Sequence, residues 1–143
     1  MALKIIDHGS PQYTEMVKLR YDILRKPLGL EFLPEELENE KNDILIGCFD
    51  DDHLEGCCLL TKSGTNEVRL RQMAVWQGLQ RNGIGKCLMQ FAENIARDRG
   101  FKKICMHARK TAIGFYEKLG YKKTGKEFIE VSLPHYKMEK DLC

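Results

Sequence analysis

The chain has no run approaching roughly 18 apolar residues, so no segment reads as a membrane-spanning helix. It has no excess charge of one sign. Against 23 basic residues stand 21 acidic ones, which leaves no dominant basic field for nucleic acid. The six cysteines, Cys48, Cys57, Cys58, Cys87, Cys105 and Cys143, include no Cys-x-x-Cys pair and no cysteine–histidine set with zinc-ligand spacing. No metal site is therefore expected. Most of these cysteines fall at apolar positions of strands or on a helix's inner face, as small hydrophobes. Reduced thiols in a cytoplasmic protein are the expectation. Met1 to Asp7 lacks the apolar core and small-residue cleavage site of a signal peptide, and reads as a first strand. Repeats, linkers and low-complexity stretches are missing too, so residues 1–143 are expected to form one domain.

What is present centres on Gln80-Arg81-Asn82-Gly83-Ile84-Gly85-Lys86. Before it, residues 68–75 alternate in polarity like a strand. After it, Ile84, Cys87, Leu88, Phe91, Ala92, Ile95 and Ala96 fall on one helix face, and Gly100 supplies the stop. Strand, glycine turn and helix together make an anion site, because glycines admit a ligand to the backbone and the first helical N–H groups have no internal partner. The spacing excludes two common phosphate loops. A Walker loop would need glycine at Gln80 and a hydroxyl at Cys87; a dinucleotide fingerprint would need a third glycine at Leu88.

A second block, Thr111 to Tyr121, reads as a short helix with Ala112, Phe115, Tyr116 and Leu119 inward and Gly120 as its stop. The first block resembles the Gln/Arg-x-x-Gly-x-Gly/Ala pyrophosphate loop of the GNAT N-acetyltransferase superfamily. The second resembles that family's Ala-x-x-Phe-Tyr-Glu-Lys-Leu-Gly-Phe/Tyr segment, and the two stand in the family's order. This resemblance covers roughly residues 66–140. It implies an α/β, α+β mixed-sheet fold of the GNAT-like acyl-CoA N-acyltransferase type. That fold has a central, mostly antiparallel sheet of about seven strands flanked by about four helices. Local signals elsewhere agree with that order. Ser10-Pro11 starts a helix running to about Arg25, Lys26-Pro27-Leu28-Gly29 breaks it, and residues 34–41 are a short acidic helix or a loop. Strands at 43–49 and 53–61 flank an Asp50-Asp51-Asp52 turn, and further strands are expected at 102–108, 122–131 and 135–139.

The resemblance also implies roles. The backbone of Met73, Ala74 and Val75 would pair with a pantetheine arm and offer oxyanion donors. Gln80, Arg81, Asn82, Gly83, Ile84, Gly85 and Lys86 would hold the pyrophosphate of acetyl-CoA. Arg109 replaces a common asparagine, and either reaches a phosphate or faces solvent. Trp76-Gln77-Gly78-Leu79 stands where Pro-Glu-Tyr-like residues are common in that family. Tyr116 would hydrogen-bond the leaving sulfur. A phenol near ~10 giving its proton to a thiol near ~8.5 is uphill by roughly 2 kcal/mol, so donation of a hydrogen bond is the safer role. For the base, Glu67 and His107 come first, then His135, with His53 lower and a water chain as the alternative.

Three functions remain open on sequence alone. They are an acetyl-CoA-dependent N-acetyltransferase acting on a small-molecule or protein amine, a non-catalytic acyl-CoA-binding regulator on the same fold, and an unrelated phosphate-ligand module. Arg20, Tyr21 and Arg25 could edge an acceptor cleft suited to an anion, or be surface charge with Tyr21 in the core. The apolar alternation of Phe128–Tyr136 offers an edge on which a homodimer could pair.

Overall fold

The computed structural model describes residues 1–80 and 82–142. Seven strands form one sheet in the order β1-β2-β3-β4-β5-β7-β6. Their ranges are β1 Ala2–Ile6, β2 Ile44–Asp50, β3 His53–Lys62, β4 Glu67–Val75, β5 Lys103–Arg109, β6 Lys122–Glu130 and β7 Leu133–Asp141. All neighbours pair antiparallel except β4 and β5, which are parallel. A parallel pair needs a crossover, and helix α3 (Ile84–Asp98) supplies it.

Each face of the sheet carries its own apolar cluster. Helix α1 (Pro11–Arg20) places Tyr13, Met16 and Leu19 against Leu45, Leu54, Cys57 and Leu59. On the other face, α3 and α4 (Ile113–Lys118) place Leu88, Met89, Ala92, Ile113 and Tyr116 against Ile46, Cys58, Leu60, Val68, Ile104 and Met106. From Cys57 to Leu60, odd and even residues of β3 divide between the clusters, as the two-residue period of a strand requires; Leu54, beyond a register shift against β2, joins the α1 side. No helix among the described residues is long and apolar enough to cross a membrane.

The local signals act as their chemistry dictates. Ser10 caps α1, its hydroxyl accepting from the Tyr13 N–H at 3.2 Å, with Pro11 at the first helical position. Beyond Arg20 the helix widens into a π turn over Tyr21–Arg25, then a 3-10 turn at Lys26–Leu28 ends at left-handed Gly29. The acidic segment is helical as α2 (Pro34–Glu38), followed by a 3-10 turn at Asn39–Asn42. Helices α3 and α4 both close on a glycine: Phe101 N–H reaches the Ala96 carbonyl at 2.9 Å, and Tyr121 N–H reaches that of Tyr116 at 3.1 Å.

Two inward assignments change. Phe115 is exposed while Ile113 takes the core position. On α3, Met89 and Glu93 are buried whereas Cys87, Phe91 and Ile95 are only half-buried. Glu93 is tolerated inside because Lys140 and the Tyr121 hydroxyl hydrogen-bond it, at 2.9 and 3.0 Å.

Candidate active site

The site begins with an irregularity in β4. Against β3, Leu59 pairs with Arg71 and Cys57 with Ala74, so β4 carries one extra residue there. Gln72 absorbs it with φ of 58°, the signature of a β-bulge. The bulge reverses which face the strand presents. Val68 and Leu70 pack toward α3; a regular strand would send Ala74 the same way, but Ala74 joins the α1-side cluster and Met73 and Val75 pack toward α3. Pairing with β5 meanwhile stops at Leu70 opposite Met106. The Met73–Val75 backbone thus continues along β3 without a β5 partner, and the two strands part around a cavity of about 550 Å³.

One wall of the cavity is built from main chain. Met73, Ala74, Val75, Gln80 and Gly85 line it. Gly83 precedes α3 in a left-handed conformation at φ 78°, and the Cys87 N–H returns to its carbonyl. The N–H groups of Ile84, Gly85 and Lys86 lie in the first turn of α3, where the α-helical ladder offers them no partner. A Cβ at Gly85 would lie 3.1 Å from the Phe115 ring, closer than ordinary contact, so a side chain there would press on that ring. Gln80 anchors the loop by donating to the Val75 carbonyl at 3.2 Å. The Ile84 side chain is buried in the core, and Asn82 and Lys86 are exposed outside the cavity lining. Arg81 lies outside the described residues.

The Tyr116 ring is packed between Phe115 and Tyr121, at 5.0 and 5.9 Å between centroids, and Tyr116 lines the cavity. Burial pushes its phenol well above the ordinary range. That shift makes full proton transfer to a thiolate more uphill and leaves hydrogen-bond donation as the role its environment permits. Arg109 also lines the cavity, from the end of β5.

The opposite wall is built from side chains. His107 on β5 sits between two partners: its Nδ1 is 2.9 Å from an Arg69 guanidinium nitrogen and 3.0 Å from Glu130 Oε1. His135 is buried, its Nδ1–H donating to the Leu133 carbonyl at 2.8 Å, with Nε2 3.8 Å from Glu130. Glu130 is the one carboxylate among the described lining residues, and sequence reasoning missed it. Its only local signal is its place just before the β6–β7 turn; the strand register brings it to two histidines.

Other expectations move. Glu67 is not in the cavity: it opens β4, where its carboxylate accepts from Ser63 Oγ at 3.0 Å. His53 opens β3 at the far hairpin. Arg20 is fully buried, its guanidinium donating to both Glu40 oxygens at 2.8 and 2.6 Å, so it is not free to meet an acceptor. Tyr21 lies in a separate groove with Phe32 and Leu37, whereas Arg25 does reach the cavity. No described cysteine lines it, and burial pushes Cys57 up to about 12, so nucleophilic thiol chemistry has no candidate among these residues. No described group of three or more His, Cys, Asp and Glu is placed to hold a metal.

A family profile described as an acetyltransferase (GNAT) domain matches residues 22–142. The chain is 31% identical to an uncharacterized N-acetyltransferase, YjcF of Bacillus subtilis, over 109 residues that cover 75% of each protein. It is also 31% identical to YyaT of Bacillus subtilis over 75 residues, spanning about half that relative's length (51%) and 52% of this chain. In fold it is similar to an aminoglycoside 6′-N-acetyltransferase complexed with coenzyme A, with a TM-score of 0.82 at 22% identity, covering 100% of this chain and 98% of that one.

Proposed function

The chain belongs to the GNAT acetyltransferase family, and from that premise we propose that it transfers acetyl from acetyl-CoA to a primary amine by direct attack on the thioester. The observation that carries this reading is the β4 bulge at Gln72, which frees the Met73–Val75 backbone from β5 beside the N-terminus of α3. Acetyl-CoA supplies the acetyl group already activated as a thioester. The residues present suit such a molecule. First-turn amides at Ile84–Lys86 match a diphosphate. The unpaired edge at Met73–Val75 suits an amide-bearing arm added like a strand, and its N–H groups are the donors for oxyanion charge. The Tyr116 hydroxyl donates a hydrogen bond to the departing sulfur.

The amine must lose a proton before it attacks. A lysine-like amine near ~10.4 is free base in about one molecule per thousand at neutral pH. We assign the proton acceptor to the His107–Glu130 pair. With Nδ1–H donating to Glu130, Nε2 of His107 holds the lone pair that takes the proton. Glu67 has no part in this assignment, because it does not line the cavity and its carboxylate is taken by Ser63.

Acceptors of the kind named for the coenzyme A-bound relative, aminoglycosides, are polyamines. Here they would meet Arg69, Arg71 and Arg109 against Glu130 alone among the described lining carboxylates, Arg25 being paired with Glu36, so the wall's charge disfavours them. Calorimetric titration with acetyl-CoA, coenzyme A and ATP tests the cofactor reading. Binding of both coenzyme forms and not of ATP is expected, followed by thiol release when an amine is added. Absence of coenzyme binding overturns the proposal.

A further inference from the structure

We infer that the acceptor amine carries its own anionic group, a carboxylate or phosphate close to the nitrogen, held by Arg69 and Arg71; this deepens the acetyltransfer reading and rests on it. The two arginines alternate along β4 with Val68 and Leu70, which pack toward α3. Their side chains therefore point to the opposite face of the sheet from α3. Phosphates held at the α3 N-terminus do not account for them.

Arg71 forms no ion pair among the described residues, and the one that Arg69 forms, with Glu130, is long and shared with His107. Arg71 donates to the Thr61 hydroxyl at 3.4 Å, and no carboxylate among the described residues lies within 4 Å of it. Arg69 has the Nδ1 of His107 at 2.9 Å and Glu130 at 3.9 Å, and its buried Nε has no partner. Arg25, which also lines the cavity, is by contrast satisfied by Glu36 at 3.1 Å, the Glu31 carbonyl at 3.2 Å and the Phe32 ring at 4.2 Å. A guanidinium fork facing a cavity with donors unspent fits a planar or tetrahedral oxyanion better than a neutral amide.

The same contact links recognition to proton transfer. While Arg69 donates to Nδ1, the ring proton of His107 belongs on Nε2 and the lone pair is used up. An oxyanion that draws Arg69 away lets Nδ1–H turn to Glu130 and frees Nε2 as the base. An anionic acceptor would thus set the tautomer that its own amine requires.

The experiment is acetyl-CoA turnover with matched acceptors: glycine against glycinamide, β-alanine against its amide, and O-phosphoethanolamine against ethanolamine, each compared at equal free-base concentration. The first two pairs report a carboxylate and the third a phosphate. Expected is a preference in kcat/KM of ~10- to 100-fold for the anionic member of at least one pair, the range for a hydrogen bond to a charged group. Arg71→Gln should abolish most of that preference through KM, and Arg71→Lys should restore part of it, with melting temperature verifying the fold. Equal or better use of the neutral members, no acetylation of any anionic amine by protein that binds acetyl-CoA, or an unchanged preference in Arg71→Gln each overturns this inference while the cofactor reading stands. Failure to bind acetyl-CoA overturns the reading beneath it.

Discussion

The two walls of the cavity are made of different materials. Toward α3 the proposed binding atoms are main-chain N–H groups, beside a bulge at Gln72, a left-handed Gly83 and a side-chain-free Gly85. On the other face they are side chains from four separate segments: Arg25 after α1, Arg69 and Arg71 on β4, His107 on β5, Glu130 and His135 on the last hairpin. A backbone wall recognises what the ligands of a fold share, because every residue supplies the same donor. A side-chain wall recognises what distinguishes one acceptor from another, and each member can change without disturbing the strand that carries it.

The largest expected effect lies outside both walls, at a buried ion pair. Arg20 and Glu40 are buried together, with the Tyr13 hydroxyl donating to Glu40 at 2.7 Å. Arg20→Ala leaves a buried carboxylate unpaired and is expected to cost about 3–5 kcal/mol, seen as a fall in melting temperature of roughly 10 °C. Arg20→Met with Glu40→Leu should recover most of it, and failure to recover would show that the pair does more than satisfy itself. Burial pushes the Glu40 carboxyl up, but hydrogen bonds from Arg20 and Tyr13 more than reverse this and hold it below its usual range. A carboxyl lowered by folding adds stability above its unfolded value, about 4.3, and loses it as pH falls toward the folded one. Melting temperature should therefore drop on acidification below about pH 4.3, and Glu40→Gln should flatten part of that drop.

Next in size are two substitutions that separate chemistry from binding. Tyr116→Phe and Glu130→Gln are each expected to lower kcat about 100-fold while coenzyme A affinity, read by calorimetry, stays within about twofold. A Glu130→Gln enzyme at full kcat would remove the His107–Glu130 assignment. Gly83→Asp should do the reverse. A carboxylate at the α3 N-terminus competes with a diphosphate for the same amides, so coenzyme A affinity should fall at least ~10-fold with little change in acceptor KM.

The smallest effect sharpens the comparison at the hairpin that delivers Glu130. Both this turn and the one at Asp51-Asp52 have positive φ at their two central residues. The aspartates tolerate it, but Val131, at φ 45°, is β-branched and does not. Val131→Asn is expected to stabilise by about 1 kcal/mol, raising the melting temperature by roughly 2–4 °C. No rise would mean that the hairpin's packing already offsets the turn's strain.

Much of the backbone wall was legible in advance because its signals are local. Two glycines, a helical period and a C-terminal stop lie within about two dozen residues, and nearest-neighbour chemistry suffices to read them. The bulge was not legible: Gln72 is no turn former, and its positive φ follows from register against β3. The side-chain wall was legible only as candidates. His107 was named as a base for its place near a strand end, yet what supports the proposed role is Glu130, separated from it by a helix and a strand. Glu67 was named for the same kind of reason and turns away to Ser63. Arg20 and Arg25 looked equivalent on one helix edge, until folding buried the first against Glu40 and left the second at the cavity.

The order of elements, the glycine loop that opens α3 and the aromatic helix that carries Tyr116 are thus encoded locally. Hydrophobic period, capping and turn chemistry act over a few bonds and are written in adjacent residues. Only the tertiary structure decided where β4 and β5 part, which arginines keep free donors and which carboxylate meets the histidine. Those outcomes depend on strand register and burial, and the contacts that set them join residues far apart along the chain.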